Sequence, residues 1–541
     1  SLVEKSLVRK LPAERYQVLS VLQRYAQEKE APARHIRQGL CRYYAEWMKT
    51  QAIAMQAEGQ RQALHEVGKE IDNLRAVWRW AVEARAQEDL EALSMGLYHF
   101  YAISGWHTQG DVLFREAINT IQRHRPPTHE LDTTRRRVLA RMLAYRAAFE
   151  IKIGRLDEAE ARLKKSLQLS RSIAHAGLIA FALDKLGRLA DARGQYQQAT
   201  QYYTDALRFF EKAGDEAGIA MVRNHIGYAH YRMADYPAAQ EHFTSALQRY
   251  QRLQNEWGIA TCLNNLGNIA FMQAEYFTAR QHYLTSRSLR KAIGDLHGYA
   301  TTSTNLGLLE RLQGHLAEAR GFLEEAGQTY ALIGDQRGRA RTWMTLGEVA
   351  AQEKDYTTAR QLLEQSLTAL ERLGDENNAA FARAELALTD LKQNLVEKAH
   401  QRLNASLLFF RQCENRYGAG VCYARLARVY LQKGQLEQAR HALRQVLDIV
   451  EDTRVGTLLH EAIIGVALWL NACAQPRNAL GLLQSWRQYT DLPMDVDNML
   501  AETWREIRRG YAQDSDETLP ALHFSRSPNE QITMLRKLLQ Q

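Results

Sequence analysis

The chain has 541 residues, of which 45% are hydrophobic and 24% are charged, so it is long enough for an extended core and ordinary in composition. Its formal net charge of +8 is modest for this length, and nucleic acid is not an expected partner. The apolar runs are too short to span a membrane, and no signal sequence opens the chain. Five isolated Cys without a C-x-x-C pair predict reduced thiols and a cytoplasmic location.

The first 30 residues predict a short β-hairpin followed by a helix. Residues 7–10 and 15–18 have strand composition and flank a Leu-Pro-Ala-Glu turn. Leu19, Leu22 and Tyr25 then follow at helical spacing. Because the chain begins with Ser1 and not with Met, we expect it to be part of a longer protein.

Residues 31–136 are predicted to form a helical arm that is broken at Pro126 and Pro127. Six arginines surround this break: Arg123, Arg125, Arg135, Arg136, Arg137 and Arg141. Their pattern favours a solvated helix face or an interdomain contact over a phosphate-binding surface.

Residues 137–490 repeat with a period of forty residues, nine times in succession. One column is always alanine: Ala159, Ala199, Ala239, Ala279, Ala319, Ala359, Ala399, Ala439 and Ala479. A second column lies twelve residues earlier and is always glycine or alanine: Ala147, Gly187, Gly227, Gly267, Gly307, Gly347, Ala387, Ala427 and Ala467. Small residues on both sides of a turn let two antiparallel helices approach closely. Each unit is therefore predicted to be a helical hairpin that stacks on its neighbours.

A third column carries short polar side chains that can cap the start of a helix. Its members are Asp215, Asn255, Asp295, Asp335, Asp375 and Asn415. The column predicts that each unit begins at a fixed position.

The repeat resembles the tetratricopeptide repeat family through Leu266-Gly267, Tyr276, Ala279 and Tyr283. Ser286 stands where the family has alanine, and the period exceeds the commoner 34 or so residues. The resemblance implies an all-α fold in which 40-residue hairpins build a right-handed superhelix. Residues 491–541 contain three prolines and are predicted to form a C-terminal helical cap.

The N-terminal segments resemble signal transduction ATPases with numerous domains (STAND), in particular the bacterial subset with a tetratricopeptide sensor. The matching positions are Leu2, Val3, Lys5, Ser6, Leu7, Val8, Arg15, Tyr16, Leu19, Leu22, Arg24, Tyr25 and Ala26, then Glu70, Asn73, Leu74, Arg75 and Ala76, then Gly105 and Trp106. The resemblance implies that residues 1–30 are the C-terminal part of a winged-helix domain. It also implies an upstream ATPase domain that binds ATP or ADP with Mg²⁺.

No nucleotide site is expected within the chain itself, and no other cofactor or metal is expected there. Gly68-Lys69 is followed by Glu70 and lacks the preceding glycine of a phosphate-binding loop. The 17 histidines do not form a metal-ligand spacing, and no nucleophile has a positioned base. We therefore predict that these residues carry no catalytic site.

The tetratricopeptide resemblance implies that the first helix of each hairpin lines the inner surface of the superhelix. Positions spaced i, i+4, i+7 on these helices give the predicted ligand-binding residues: Asn224, Tyr228, Tyr231, Asn264, Asn268, Phe271, Thr304, Arg311, Arg341 and Glu348. The same positions in an earlier unit hold Asp184, Arg188 and Asp191. Asn can donate to and accept from a peptide backbone, and aromatic rings offer rigid contact area.

The favoured interpretation is an inducer-sensing, autoinhibitory region of a STAND ATPase. Its expected partners are an inducer peptide, protein or small molecule, and the upstream NTPase domain of the same protein. The alternative is a constitutive tetratricopeptide scaffold without nucleotide switching. A third interpretation is nucleic-acid contact through the arginines between Arg123 and Arg141.

Overall fold

The computed structural model describes residues 8–11, 15–18, 34–123, 129–453, 456–489, 494–510 and 528–540. Strands β1 (Val8–Leu11) and β2 (Arg15–Val18) pair antiparallel, with Val8 opposite Val18. The predicted β-hairpin is thereby confirmed. The helix predicted after it lies outside the described residues, as do Arg125 and the Pro126-Pro127 break.

All other described elements are helices. The arm contains α1 (Arg34–Ala54), α2 (Gln60–Ala84), α3 (Gln87–Ile103) and α4 (His107–Gln122). Nine hairpins follow in the described chain: α5 (His129–Ile153) and α6 (Leu156–Ser172), α7 (Ala176–Ala192) and α8 (Tyr196–Ala213), α9 (Glu216–Arg232) and α10 (Tyr236–Arg252), α11 (Glu256–Met272) and α12 (Tyr276–Ile293), α13 (Leu296–Leu312) and α14 (Leu316–Ile333), α15 (Gln336–Gln352) and α16 (Tyr356–Arg372), α17 (Glu376–Lys392) and α18 (Val396–Gln412), α19 (Arg416–Gln432) and α20 (Leu436–Thr453), and α21 (Gly456–Ala472) and α22 (Pro476–Tyr489). We call these hairpins units 1 to 9. The chain ends with α23 (Met494–Gly510) and α24 (Pro528–Leu538).

The two small-residue columns lie where the helices of each hairpin cross. All nine alanines of the first column are fully buried. A Cβ added to Gly267 would lie 2.7 Å from the ring of Tyr283, and one added to Gly227 would lie 3.1 Å from the carbonyl oxygen of Ala239. No larger side chain fits there without moving a neighbour. The predicted register of the hairpins is confirmed.

The polar column caps the first helices of its units as predicted. The carboxylate of Asp215 accepts a hydrogen bond from the Gly218 backbone N–H at 2.9 Å, and Asn255 accepts from Gly258 at 2.8 Å. The remaining four members make the equivalent bond to the residue three positions later. Each cap satisfies a backbone donor that would otherwise lack a partner, which fixes where the helix begins.

The arm packs directly on unit 1. Glu91 of α3 pairs with Arg137 at 2.8 Å and with Arg141 at 3.1 Å, and both arginines lie on α5. Asp132 pairs with Arg135 and Arg136 within α5. Arg135 also donates to the carbonyl oxygen of Ile121 in α4, so three arginines of the predicted basic cluster join the arm to the repeats.

The superhelix is wound tightly enough for distant parts of the chain to touch. Arg61 of α2 pairs with Glu256 of α11 at 2.6 Å across 195 residues. A Cβ added to Gly194, in the turn of unit 2, would lie 3.7 Å from the Cβ of Cys413, between units 7 and 8. Helix α13 likewise contacts α23. Segments that are remote in sequence therefore enclose the inner surface.

All five cysteines are free thiols, and Cys41, Cys262 and Cys422 are buried. Among the described helices, none is both long enough and apolar enough to cross a lipid bilayer.

Candidate ligand-binding surface

The inner face of the first helices is formed by side chains that their own hairpin leaves partly exposed. On α9 these are Met221, His225, Tyr228 and Arg232, spaced i, i+4, i+7, i+11. The equivalent positions in the neighbouring units define the same stripe, which we call the inner face. Tyr228, Asn268, Arg341 and Glu348 of the predicted site lie on it.

The other predicted residues lie off the inner face, and Asn224, Asn264 and Arg311 contact a neighbouring first helix. Asn224, Asn264, Thr304 and Phe271 are buried, and Tyr231 and Arg311 are half-buried. The hydroxyl of Thr304 donates to the carbonyl oxygen of Ala300 within its own helix. The proposed contact of these side chains with a ligand stays a prediction.

The asparagines form a ladder between units 3, 4 and 5. The side-chain oxygen of Asn224 accepts from the amide of Asn265 at 2.9 Å. The oxygens of Asn264 and Asn268 both accept from the amide of Asn305 at 3.1 Å. The sequence interpretation missed Asn265 and Asn305, although they stand forty residues apart in one column. The ladder therefore ties successive units together.

Ion pairs take over this linking role in the later units. They are Arg311–Glu348 at 3.1 Å, Arg425–Glu385 at 2.6 Å and Arg428–Glu461 at 3.2 Å. In each pair the two residues belong to the first helices of neighbouring units. Half-buried pairs of this kind fix the position of both side chains.

Units 2 and 3 carry a different arrangement, in which arginines contact tyrosine rings. The guanidinium carbon of Arg232 lies 4.9 Å from the ring centre of Tyr196 and 5.9 Å from that of Tyr228. Arg188 lies 5.9 Å from the same Tyr228 ring. Arg232 also donates to the Tyr228 hydroxyl at 3.2 Å. Cation–π contacts hold both guanidinium groups at the inner face.

These positive charges act on the Tyr228 hydroxyl. Burial raises the pKa of Tyr228, but the nearby Arg232 guanidinium and the hydrogen bond from it outweigh this effect and lower the pKa below its ordinary value. Arg188 acts in the same direction. Arg232 was absent from the predicted site, although it stands four residues after Tyr228 on the same helix face.

Two buried carboxylates lie beside these arginines. Asp184 contacts the Lys185 ammonium at 2.8 Å and the Nδ1 of His225 at 2.6 Å. Burial disfavours its charge, but Lys185 and His225 together outweigh burial and hold the pKa of Asp184 well below its usual range. Burial lowers the pKa of His225 to about 4, so the neutral ring donates to Asp184.

Asp191 accepts a hydrogen bond from the Tyr203 hydroxyl at 2.5 Å. Burial raises the pKa of Asp191 to about 6, although Arg188 and this hydrogen bond oppose the shift. The second carboxylate oxygen of Asp191 is buried without a hydrogen-bond partner in the described structure.

A cavity of about 740 Å³ opens between two turns of the superhelix, next to Arg232. One wall is the turn of unit 2 at residues 194–198, with Met233, and the opposite wall is residues 410–416. Tyr196 and Tyr423 contribute aromatic surface to it. The cavity thus lies beside the inner face and is open to solvent.

One group of potential metal ligands occurs in the described residues. Glu310, His315 and Glu318 place ligand atoms within 4.8 Å of one another. However, the Nε of Arg280 lies 2.7 Å from a Glu310 oxygen, so a positive charge already occupies this position.

One family model of the tetratricopeptide repeat matches residues 138–212, 218–283 and 258–330. A second family model of this repeat matches residues 421–452. No curated protein matches the sequence.

Solved structures of similar fold include a Rap protein complexed with competence and sporulation factor, at 13% identity, covering 68% of this chain and 99% of that one, with a TM-score of 0.51. The apo quorum sensor NprR from B. thuringiensis has 14% identity, covers 71% of this chain and 99% of its own, and has a TM-score of 0.44. A STAND protein with a tetratricopeptide repeat sensor from Pyrococcus horikoshii is 13% identical. The match covers 65% of this chain and 54% of that one, with a TM-score of 0.40. At these identities the likeness concerns the fold. The matched segments, residues 138–212, 218–330 and 421–452, are therefore similar to tetratricopeptide repeats, and all nine described hairpins share their helix–turn–helix form.

Proposed function

We propose that this chain is the ligand-sensing and autoinhibitory region of a STAND signalling ATPase. It binds an inducer (a peptide, a protein or a small molecule) in the interior of the superhelix, in the cytoplasm. Binding controls a nucleotide-hydrolysing domain that lies upstream in the same protein. The N-terminal sequence motifs support this assignment, and the chain itself supplies the sensor and not the catalyst.

The observation that carries the proposal is the contact between the arm and unit 4. The backbone oxygen of Gln56 accepts from the side chain of Asn255 at 2.8 Å, and Gln60 accepts from the backbone of Trp257 at 2.8 Å. Arg61 adds the ion pair with Glu256. The arm follows the segment that resembles a winged-helix domain, so a shift of unit 4 moves the segment that leads to the nucleotide domain.

This contact is weak enough to be switched. A partly exposed ion pair contributes about 0.2–1 kcal/mol, and a neutral hydrogen bond about 0.5–1.5 kcal/mol. An inducer opens the contact if it binds the released state more tightly than the closed one by a few kcal/mol.

The test is nucleotide hydrolysis by the natural full-length protein. Arg61→Ala and Glu256→Gln weaken the arm contact, so both are expected to raise hydrolysis measured without inducer. Arg193→Ala is the matched control, because Arg193 forms comparable ion pairs with Asp157 and Glu160 away from the arm. Unchanged hydrolysis in both arm variants contradicts the proposal.

A constitutive scaffold is the second candidate, and one observation favours it. The asparagine ladder and the ion pairs of the later units hold the inner face together in the absence of any ligand. A scaffold does not need an upstream G-x-x-x-x-G-K-[ST] loop, whereas the sensor does. Reading the gene upstream of Ser1 therefore separates the two candidates.

A further inference from the structure

We propose that the inner face of units 2 and 3 is an anion site, where Arg188 and Arg232 hold a carboxylate or phosphate group of the inducer. This inference rests on the sensor function proposed above and names the chemistry of its ligand.

The first argument is the lack of carboxylate partners. In the described chain neither Arg188 nor Arg232 takes part in an ion pair, whereas Arg425 and Arg428 on the same inner face each do. Nearby tyrosines and Asp191 outweigh burial and raise the pKa of both guanidinium groups, so both stay charged, and an anionic ligand supplies the ion-pair partner that they lack. The tyrosine contacts hold the two groups in place for such a ligand.

The second argument is the local balance of charge. The buried carboxylate of Asp184 is neutralised by Lys185, and that of Asp191 is engaged by the Tyr203 hydroxyl. Arg188 and Arg232 therefore face one incompletely neutralised carboxylate. The site keeps an excess of positive charge.

Lys152 adds a further cation at the border of the site. Burial lowers the pKa of Lys152 to about 8, and the neighbouring Arg188 acts in the same direction. Asp335 and Asp295 oppose this shift, but they pair with His297 at 3.2 Å and with Arg290 at 2.6 Å. Surrounding protein atoms crowd Lys152 enough to lower its pKa, but its side chain keeps contact with solvent, so a ligand in the interior can reach it.

The third argument is room for the rest of the ligand. The 740 Å³ cavity begins at Tyr196 and Met233, next to Arg232. Planar guanidinium groups bind carboxylate and phosphate through paired hydrogen bonds. The site therefore fits a small carboxylate or phosphate ester whose uncharged part enters the cavity.

Pyridoxal 5′-phosphate is the probe that tests the site in the full chain. Its aldehyde condenses with a lysine amine to an imine and water, and borohydride reduces the imine to a stable amine. We expect Lys152 to be labelled ahead of the other lysines, as read by peptide mass spectrometry. Pyridoxal without phosphate is expected to label Lys152 about tenfold less, because it lacks the charged group that the two guanidinium groups bind.

Arg188→Gln and Arg232→Gln should each reduce the labelling of Lys152 by about tenfold. Arg428→Gln is the matched control, because Arg428 lies on the inner face but is paired with Glu461. The proposal is overturned if pyridoxal and pyridoxal 5′-phosphate label Lys152 equally. It is also overturned if Arg188→Gln and Arg232→Gln leave the labelling of Lys152 unchanged.

Protection by inorganic phosphate and by glutarate, at an ionic strength matched with NaCl, distinguishes the two anion classes. Protection by either anion supports the site and names its class, and protection by neither overturns it. The labelling does not involve nucleotide hydrolysis. The two tests are therefore independent. Unchanged hydrolysis in Arg61→Ala and Glu256→Gln contradicts the sensor function, whereas the labelling of Lys152 decides whether the anion site exists.

Discussion

The helix crossings within a hairpin and the contacts between superhelical turns are built in opposite ways. At a crossing, Ala279 is fully buried and Gly267 leaves no space for even a Cβ beside Tyr283. Between turns, the chain makes polar contacts such as Arg61–Glu256 and leaves a cavity of about 740 Å³. Stability therefore resides in the hairpins, and the adjustable contacts lie between the turns.

This division follows from the stacking of repeats. Each unit contacts mainly its neighbours, so close packing inside and between adjacent units is enough to hold the superhelix together. Contacts between turns involve segments about 200 residues apart and add little stability. A ligand that changes the winding of the superhelix therefore has to break only the weak contacts between its turns.

The largest expected effect comes from enlarging a crossing. Ala279→Leu should destabilise the protein by about 1–3 kcal/mol because the buried crossing has no room for the larger side chain. Hydrogen exchange should increase around residues 260–300 and little elsewhere. Phe277→Leu, at a side chain that is 77% exposed, is the control and should change stability by less than about 0.5 kcal/mol. Uniform loosening of all units would contradict the nearest-neighbour account.

Removing a rung of the asparagine ladder should have a smaller effect. Asn264→Ala deletes the acceptor for the side chains of Thr302 and Asn305 and should cost about 1–2 kcal/mol in the free energy of unfolding. Asn404→Ala, at an exposed helix position, is the control. Urea denaturation measures both, and equal stability of the two variants would argue against a linking role for the ladder.

Acid should loosen a hairpin through a buried histidine. Burial lowers the pKa of His460 to about 4, below its ordinary value near 6.5. The unfolded chain therefore binds the proton first, and stability falls as pH decreases from about 6.5 towards 4. His460→Leu should remove on the order of 1 kcal/mol of the loss between pH 7 and 5. An identical pH dependence in wild type and variant would show that His460 is not buried as a neutral ring.

The smallest effect on stability is expected between the turns. Arg61→Ala should change the free energy of unfolding by at most about 1 kcal/mol, because the ion pair with Glu256 is partly exposed. The same variant should loosen the arm locally, which hydrogen exchange of residues 56–64 would detect. A large loss in the free energy of unfolding would show that the arm contact stabilises the whole protein, which would contradict its role as a weak contact that a ligand can open.

The sequence was sufficient to predict the hairpins because their packing is local. Ala279 and Gly267 recur with a fixed period, and Asp215 and Asn255 cap the predicted helix starts. The β-hairpin at Val8–Val18 was equally local.

The interior was harder to predict, because small rotations between units accumulate over the superhelix. Asn224 and Asn264 were assigned to the ligand surface, but the structure buries them between helices and bonds them to Asn265 and Asn305. Arg232 was missed, since nothing in one unit reveals that it contacts Tyr196 of the unit before. The contact between the turn of unit 2 and the connection between units 7 and 8 has no sequence signal at all.

The most direct test of the account is a disulfide between two turns. In Gly194→Cys the new Cβ would lie 3.7 Å from the Cβ of the natural Cys413, within the range of about 3.5–4.5 Å that a disulfide requires. The equivalent turn position holds Ala234 and Ala274 with positive φ in other units, so a side chain is tolerated there.

Gly434→Cys is the matched control, because it occupies the same turn position in unit 8 and has no heavy atom within 4 Å. Under mild oxidation, intact-protein and peptide mass spectrometry should show a disulfide between residues 194 and 413 in Gly194→Cys and free thiols at residues 413 and 434 in the control. Free thiols at residues 194 and 413 after oxidation would show that these two segments do not touch, and would contradict the contact between superhelical turns that is central to the account.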